Sequence, residues 1–354
     1  MKAAVAMSGG VDSSVAAALL LEAGYDVFGV TMLHYDSPCR RAESAVEDAA
    51  RVCATLGIGH HVIELRGSFE RLIIENFVNE YLAGRTPNPC VRCNVTIKWG
   101  ELLNAALSLG AERFATGHYV KLRFDETGSR YQIIKSQHRA KDQSYALWRL
   151  TQQQLARTLF PIADMQKDDV RAKAAAVGLD IAQKAESQDI CFIPDDDYAA
   201  FIVEQLAARG QTPESGETVD GQGRVLGRNR GYPFYTIGQR KGLGIALGRP
   251  QYVVHIDPIK NQIRVGDQEE LLSSGLIAEQ TNWVSIAEPT PGMKISAHIR
   301  YNDPGYPAII EAVEQDCVTV RFDKPRLSVT PGQSAVFYDG DLLIGGGIIV
   351  SALS

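Results

Sequence analysis

A glycine-rich turn between a short apolar run and a helical one, "AAVAMSGGVDSSVAAALLLEAG", constrains the fold of this chain more than any other stretch. Residues 3–7 read as a buried strand, 8–14 as a loop, and the run behind them as a helix closed by Gly24. The rhythm then repeats. "DVFGVTML" (26–33) is a strand, and "CRRAESAVEDAARVCATLG" (39–57) carries a helical face through Ala45, Ala49, Val52 and Leu56. "HHVIEL" (60–65) and "ERFATGHY" (112–119) read as further strands, with a helix over "SFERLIIENFVNEYLAG" (68–84) between them. Strands alternating with helices of this length predict a parallel sheet covered on both faces. Ligands of such sheets sit at the carboxyl ends of the strands.

From about residue 150 the rhythm changes, first to mostly helical segments and, after about 211, to glycine-rich β-like ones. "KISAHIRY", "AIIEAV", "CVTVRF" and "SAVFYDGDLLIGGGIIVSA" predict a closing set of antiparallel strands, the last with an Asp-Gly hairpin. With 354 residues, 45% of them hydrophobic, two or three domains are expected. They are an α/β domain with a helical extension (1–207), a small basic β-rich domain (208–272) and a C-terminal antiparallel β-barrel (273–354). No run approaches the ~18 apolar residues of a membrane span, and the N-terminus lacks a signal-peptide pattern. A cytoplasmic protein without membrane contact is expected.

"SGGVDSS" follows a strand and opens a helix, the setting in which backbone N–H groups and a helix N-terminus hold a phosphate. Gly9 and Gly10 permit close approach, and Ser8, Ser13 and Ser14 add hydroxyls; no lysine follows, so it is not a Walker loop. Gly-Gly alone would read as a tight turn with Ser13 as helix cap. The full string resembles the PP-loop of ATP pyrophosphatases, which cleave ATP between its α- and β-phosphates. That resemblance implies an adenine nucleotide alpha hydrolase-like domain, with Asp12 and the serines holding pyrophosphate and Mg2+.

The cysteines narrow the chemistry. Cys53 and Cys317 sit in apolar patterns and read as packed and inert, and Cys39 at a helix start reads as structural. Cys90 and Cys93 differ. Pro87 and Pro89 stiffen their loop, which predicts presented rather than buried thiols, and Arg92 and Lys98 favour thiolate. No second CxxC or Cys/His pair completes a zinc site, so the remaining candidate partner is Cys191 in "AESQDICFI".

"SGGVDSS", "GRTPNPCVRCN", "ATGHY", "KDQSYAL", "ESQDICF", "YTIGQRKGLG" and "IRY" occur in the same order in tRNA-specific 2-thiouridylases, which this chain resembles over nearly its whole length. The resemblance implies a tRNA-uridine 2-sulfurtransferase that makes 2-thiouridine at wobble position 34 of the tRNAs for Lys, Glu and Gln. Uracil O2 is adenylated by ATP, and sulfur arrives as a persulfide on Cys191 from a cysteine desulfurase or relay protein. Cys93 then frees hydrosulfide, leaving a Cys93–Cys191 disulfide, or helps the persulfide attack C2. Carried over by position, Ala6, Met7, Ser8, Gly9, Gly10, Val11, Asp12, Ser13, Met32 and Gly117 frame ATP. Asn88, Pro89 and Cys90 meet the target base, and His118, Lys141, Asp142, Gln143, Arg300, Tyr301 and Gln333 contact tRNA. Many members carry Asp where this chain has Cys90. The extra thiol makes a [4Fe–4S] cluster on Cys90, Cys93 and Cys191 the alternative to the disulfide route.

Net charge is −6, so a polyanion needs a local patch. Between Asp220 and Asp257 no acidic residue occurs, while Arg224, Arg228, Arg230, Arg240, Lys241 and Arg249 stand among Tyr232, Phe234 and Tyr235. Such a window suits phosphates and unpaired bases, and Arg240 and Lys241 are its expected tRNA contacts. Lys121, Arg123, Arg130, Lys135, Arg139 and Lys141 form a second basic cluster. A small-acid ligase would explain the PP-loop but leave the thiols without purpose. A non-catalytic RNA-binding protein would explain the window but not "SGGVDSS".

Overall fold

The computed structural model describes residues 1–35, 42–180, 190–193, 197–245 and 248–354; Cys39 and "ESQD" (186–189) lie outside them. The N-terminal part begins β1 (Lys2–Ala6), α1 (Val11–Glu22), β2 (Asp26–Leu33), α2 (Ala42–Leu56) and β3 (Gly59–Glu64). Next come α3 (Arg66–Phe69), a π-helical turn (Glu70–Ile74), α4 (Glu75–Leu82), α5 (Pro89–Cys93), a second π-helix (Asn94–Leu102) and α6 (Leu103–Ser108). The strand β4 (Arg113–Ala115) and, after α7 (Gln152–Arg157), the short β7 (Thr158–Leu159) complete a sheet of order β3-β2-β1-β4-β7. All its pairings are parallel. Ala3, Ala4 and Val5 are fully buried, with Ala3 and Val5 packed against α1 and α2 and Ala4 against the α3–α6 side. The sheet is thus covered on both faces, as the alternation requires.

The strand expected over 112–119 is shorter than its apolar pattern. Only Arg113–Ala115 pair in the sheet, and Thr116–Tyr119 leave it to fold over the start of α1. The chain then forms a hairpin, β5 (Val120–Asp125) and β6 (Arg130–Lys135), that periodicity did not single out. This hairpin joins the C-terminal sheet through Leu342↔Ile134 and Leu343↔Ile133.

After α8 (Lys167–Ala176) and α9 (Tyr198–Ala208) come β8 (Gly216–Val219), β9 (Val225–Asn229), β10 (Tyr252–Asp257) and β11 (Gln262–Gly266), a small sheet of order β10-β11-β8-β9. The last unit runs β12 (Leu272–Trp283), β13 (Lys294–His298), β14 (Tyr306–Glu314), β15 (Cys317–Leu327), β16 (Ser334–Asp339) and β17 (Leu342–Leu353). Pairing of β12 with both β15 and β17 closes it into an antiparallel barrel. Leu276, Ala278, Ala297, Val318, Val320 and Phe337 fill its interior.

The "KDQSYALW" segment docks on the barrel. Trp148, fully buried, donates from Nε1 to Ser334 Oγ (3.0 Å), and Asn282 Nδ2 donates to Trp148 O (2.7 Å). Beside it, His298 Nδ1 lies 2.8 Å from Asp303 O, so Nδ1 carries the proton and Nε2 accepts from Lys135 Nζ at 3.3 Å. Burial, aided by Lys135, lowers His298 to about 4. An unfolded histidine titrates near 6.5, so this contribution to stability is complete above that pH and is lost as pH falls toward 4. Thermal melts from pH 7.5 to 4 are expected to lose up to about 3 kcal/mol more for the wild type than for His298→Gln. Parallel pH dependences would show that His298 stays out of the linkage.

Candidate active site

The phosphate loop lies at the carboxyl end of β1, where Ala6 is in register with Val30 and the chain turns into α1. Gly9 adopts φ +68°, a left-handed conformation that glycine adopts without strain. Gly10, the helix cap, offers no side-chain acceptor, so the first-turn N–H groups of α1 are not closed off by a cap. Ser13 Oγ accepts from Ser8 N (3.2 Å) and donates to Gly10 O (3.1 Å), holding the loop's curvature. Gly117 presses on this turn: a Cβ there would stand 2.5 Å from Ser13 N. Met7 is buried beneath the loop, its N–H bonded to Val30 O (2.8 Å), and Met32 flanks it half-buried near the end of β2.

Asp12, expected to face Mg2+ and pyrophosphate, is already bound within the protein. Its carboxylate accepts from Lys167 Nζ (2.8 and 2.9 Å) and from Tyr119 OH (2.7 Å). Sequence reasoning missed Lys167. Its signal was a lysine on the first residue of a helix, where the dipole disfavours a cation and an outside partner is needed. Gln143 in turn fixes Tyr119, its side chain accepting from Tyr119 N (3.0 Å).

The thiols lie on a capped helix rather than an open loop. Asn88 Oδ1 accepts from Val91 N (3.2 Å), Pro89 occupies the first helical position, and α5 places Cys90 and Cys93 three apart on one face. The expectation of two presented thiols therefore holds for Cys90, which is exposed, and fails for Cys93, which is buried. The expectation of thiolates is corrected too. Burial pushes Cys93 up to about 12, with Cys191 and Cys90 raising it further and Lys98 pulling it down. Dense surroundings also raise Cys90 despite its exposure, as on the wall of a cleft, again against Lys98. Arg92 gives no help, since it turns away to donate from Nε to Leu72 O (2.6 Å).

Cys191 comes within electrostatic reach of Cys93. Its neighbour Phe192 is the anchor, buried edge-on against Phe69 (5.8 Å) and Phe77 (5.3 Å). Cys191 itself is exposed. Among the described residues no disulfide forms, and the three cysteines remain thiols. Nor does any group of three or more His, Cys, Asp or Glu gather as a metal-ligand set among them, so the three sulfurs do not fit a cluster as they stand.

All three parts of the chain grip the segment leading to α5. Thr86 N donates to Pro331 O (2.9 Å), and Gln333 Nε2 donates to Thr86 O (2.9 Å) and Pro87 O (3.1 Å). Thr86 Oγ1 meets Thr236 Oγ1 (3.3 Å), and Tyr145, bonded to the Asn88 side chain, donates to Ser334 O (2.8 Å). Gln333 thus holds the turn. Asp142 is likewise engaged, accepting from Ser136 N (2.7 Å) and Ser144 Oγ (2.6 Å), and Tyr301 OH donates to Asp142 O (3.2 Å). His118 sits tilted on Trp99 (5.3 Å), bonded to Thr116 Oγ1 (2.8 Å), and burial with nearby Lys98 keeps it neutral. Arg300 and Tyr301 are exposed, Tyr301 close enough to feel Cys90, and Lys141 is half-buried.

Half of the six cations in the one-signed basic window pair with carboxylates at its borders and beyond. Arg224 pairs with Asp220, Arg228 with Glu217 and Arg249 with Asp267, while Arg230 lies over Phe234 and Tyr235. Arg240 and Lys241 remain exposed without an ion pair among the described residues. In the second cluster Lys121 pairs with Asp164 and Arg139 with Asp341.

Residues 1–195 match a family model described as the tRNA methyl transferase HUP domain, 204–267 its PRC-barrel domain, and 273–349 the aminomethyltransferase beta-barrel domain. The tRNA-specific 2-thiouridylase MnmA of Heliobacterium modesticaldum is 49% identical over 99% of this chain and 92% of its own. That of Carboxydothermus hydrogenoformans is 47% identical over 99% and 98%. Among solved structures, the U34-tRNA thiolase NcsA of Methanococcus maripaludis with its [4Fe-4S] cluster covers 59% of this chain and 66% of its own. At 18% identity and a TM-score of 0.37 that likeness is too slight to bear on cofactors here. No helix among the described residues is long and apolar enough to cross a membrane.

Gly117→Ala is expected to displace the phosphate loop and weaken MgATP binding about tenfold, read by calorimetry. Unchanged affinity would show that the contact does not shape the nucleotide site.

Proposed function

The chain belongs to the tRNA-specific 2-thiouridylases, and on that premise we propose that it converts the wobble uridine of tRNAs for Lys, Glu and Gln to 2-thiouridine with ATP. The observation that supports the sulfur chemistry is that Cys191, from a remote part of the chain, lies within electrostatic reach of Cys93. The family-model descriptions name a methyl transfer and the relatives a thiolation. Juxtaposed thiols beside a glycine-rich anion loop suit the second.

In this reading Ala6 to Ser13, Met32 and Gly117 hold MgATP, with the uncapped end of α1 and Lys167 serving the phosphates. Uracil O2 attacks the α-phosphorus and pyrophosphate leaves, which turns a poor leaving group into AMP. The base enters beside Asn88, Pro89 and Cys90, flipped from the anticodon stack. Arg300 and Tyr301 at the cleft rim, Lys141, and Arg240 with Lys241 meet the RNA. Asp142, Gln143, Gln333 and neutral His118 position the backbone and walls around it.

Sulfur arrives on Cys191 as a persulfide from an external donor, which suits its exposure. Cys93 sulfur attacks the sulfur bonded to the Cys191 side chain, forming the Cys93–Cys191 disulfide and expelling hydrosulfide. Hydrosulfide attacks C2 and AMP departs. Two electrons from an external dithiol restore the thiols. A protonated, buried Cys93 is inert until then, which spares it from other oxidants.

Incubation with ATP, tRNA and a persulfide donor, followed by digestion, is expected to yield 2-thiouridine and tRNA-dependent pyrophosphate. Cys93→Ser and Cys191→Ser are each expected to lower the yield at least about a hundredfold while sparing pyrophosphate release. Full-speed thiolation by either variant would overturn the relay, and pyrophosphate release driven by a small acid would favour a ligase. Arg240→Ala/Lys241→Ala is expected to weaken tRNA binding and reduce the slope of log Kd against log salt by about 1–2. An unchanged slope would move the RNA surface elsewhere.

A further inference from the structure

Lys98 has no ion-pair or hydrogen-bond partner among the described residues, although it is half-buried. Its neighbours are fixed. Ile97 and Trp99 are buried on either side, and Trp99 Nε1 donates to Thr158 Oγ1 (2.8 Å). The charge of Lys98 is felt by Cys90, Cys93 and the neutral His118. A half-buried cation with no anionic partner among the described residues is costly unless an anion appears during function.

The backbone explains how Lys98 reaches this position. In an α-helix of ~3.6 residues per turn, a residue five along points about 140° away, which would aim Lys98 off the thiol face. Here the helix changes to π-type at Cys93, its N-cap, and continues so through Leu102. A π-helix bonds residues five apart, which brings Lys98 round over Cys93. π-helical segments are rare, and they recur at functional sites.

We propose that Lys98 is a catalytic residue of the sulfur-transfer step, turned toward Cys93 by the π-helix to stabilise the negative charge that develops on sulfur. This inference rests on the thiolation reading. In balance, the Cys93 thiol and the Cys191 persulfide give the Cys93–Cys191 disulfide and hydrogen sulfide. The Cys93 S–H bond and the persulfide S–S bond break, the new S–S bond forms, and the Cys93 proton ends on the departing sulfur. Charge lies first on Cys93 and then on the leaving sulfur, and Lys98, whose charge reaches the buried Cys93, offsets it there. The nucleotide loop takes no part, so adenylation is independent of Lys98.

The test separates the two half-reactions in Lys98→Met, Lys98→Gln and Lys98→Arg. With wild-type protein carrying a Cys191 persulfide, single-turnover formation of 2-thiouridine gives the reference rate. Lys98→Met and Lys98→Gln are expected to slow it at least thirtyfold, to retain tRNA-dependent pyrophosphate release, and to keep KM for tRNA within twofold. Lys98→Arg is expected to restore at least a third of the rate. Wild-type sulfur-transfer rates in both neutral variants would overturn the proposal. So would equal loss of both half-reactions with no rescue by arginine, which marks a structural role. If the wild type itself forms no 2-thiouridine, the functional reading fails instead.

Discussion

The grip on residues 86–89 governs the rest of the site. Thr86 and Pro87 have their backbone groups bound by Pro331 and Gln333 of the barrel, and Asn88 is tied through Tyr145 to Ser334. α5 is the first turn of a continuous helical run that passes through the π segment and α6 to Ser108, and that run supports only its C-terminal end. Its cap and its lead-in must therefore be held from outside. The barrel and the small central sheet supply that hold, so domains remote from the nucleotide still determine where Cys90 and Cys93 stand.

Electrostatics at the thiols follow from the competition between burial and one lysine. Burial disfavours the thiolate of Cys93 more than Lys98 favours it, and the neighbouring sulfurs add to the penalty. The same burial keeps His118 neutral. The result is a site with one positive charge and no resident negative one among the groups described. At the other end of the cleft the arrangement is reversed, with Asp12 and Lys167 already paired beside the phosphate loop. The two ends thus suit different steps, one exchanging ions with a nucleotide and the other meeting charge only as sulfur moves.

Much of this was legible in the chain. Periodicity located β1, α1, β2 and α2 within a few residues, because strands buried on both faces need continuous apolar runs and the helices need an apolar stripe, and it located the half-exposed edge strand β3 as well. "SGGVDSS" marked the anion loop, and the Asp-Gly pair marked the turn between β16 and β17, where Gly340 takes φ +56°. The hairpin β5–β6 was not legible. Its residues alternate weakly and carry six scattered cations with their flanks, and β6 finds its second neighbour only at the barrel edge, far along the chain. The ion pairs of the basic window were not legible for a related reason: charge runs are local in sequence, whereas Glu217 and Asp267 reach its arginines through the fold.

The amino-acid order by itself determined the α/β core, the glycine turn, the β-rich C-terminal half and the identity of the reactive side chains. These depend on interactions within a few residues or on a repeating pattern. Tertiary structure decided which thiol is open and which is buried, that Asp12 pairs with Lys167, that Gln333 and Asp142 hold backbone, and that Lys98 turns toward sulfur. Each of those depends on groups far apart along the chain, or on a change of helical period enforced by packing. Neither a spacing nor a propensity encodes them, because burial and charge pairing are properties of the assembled interior.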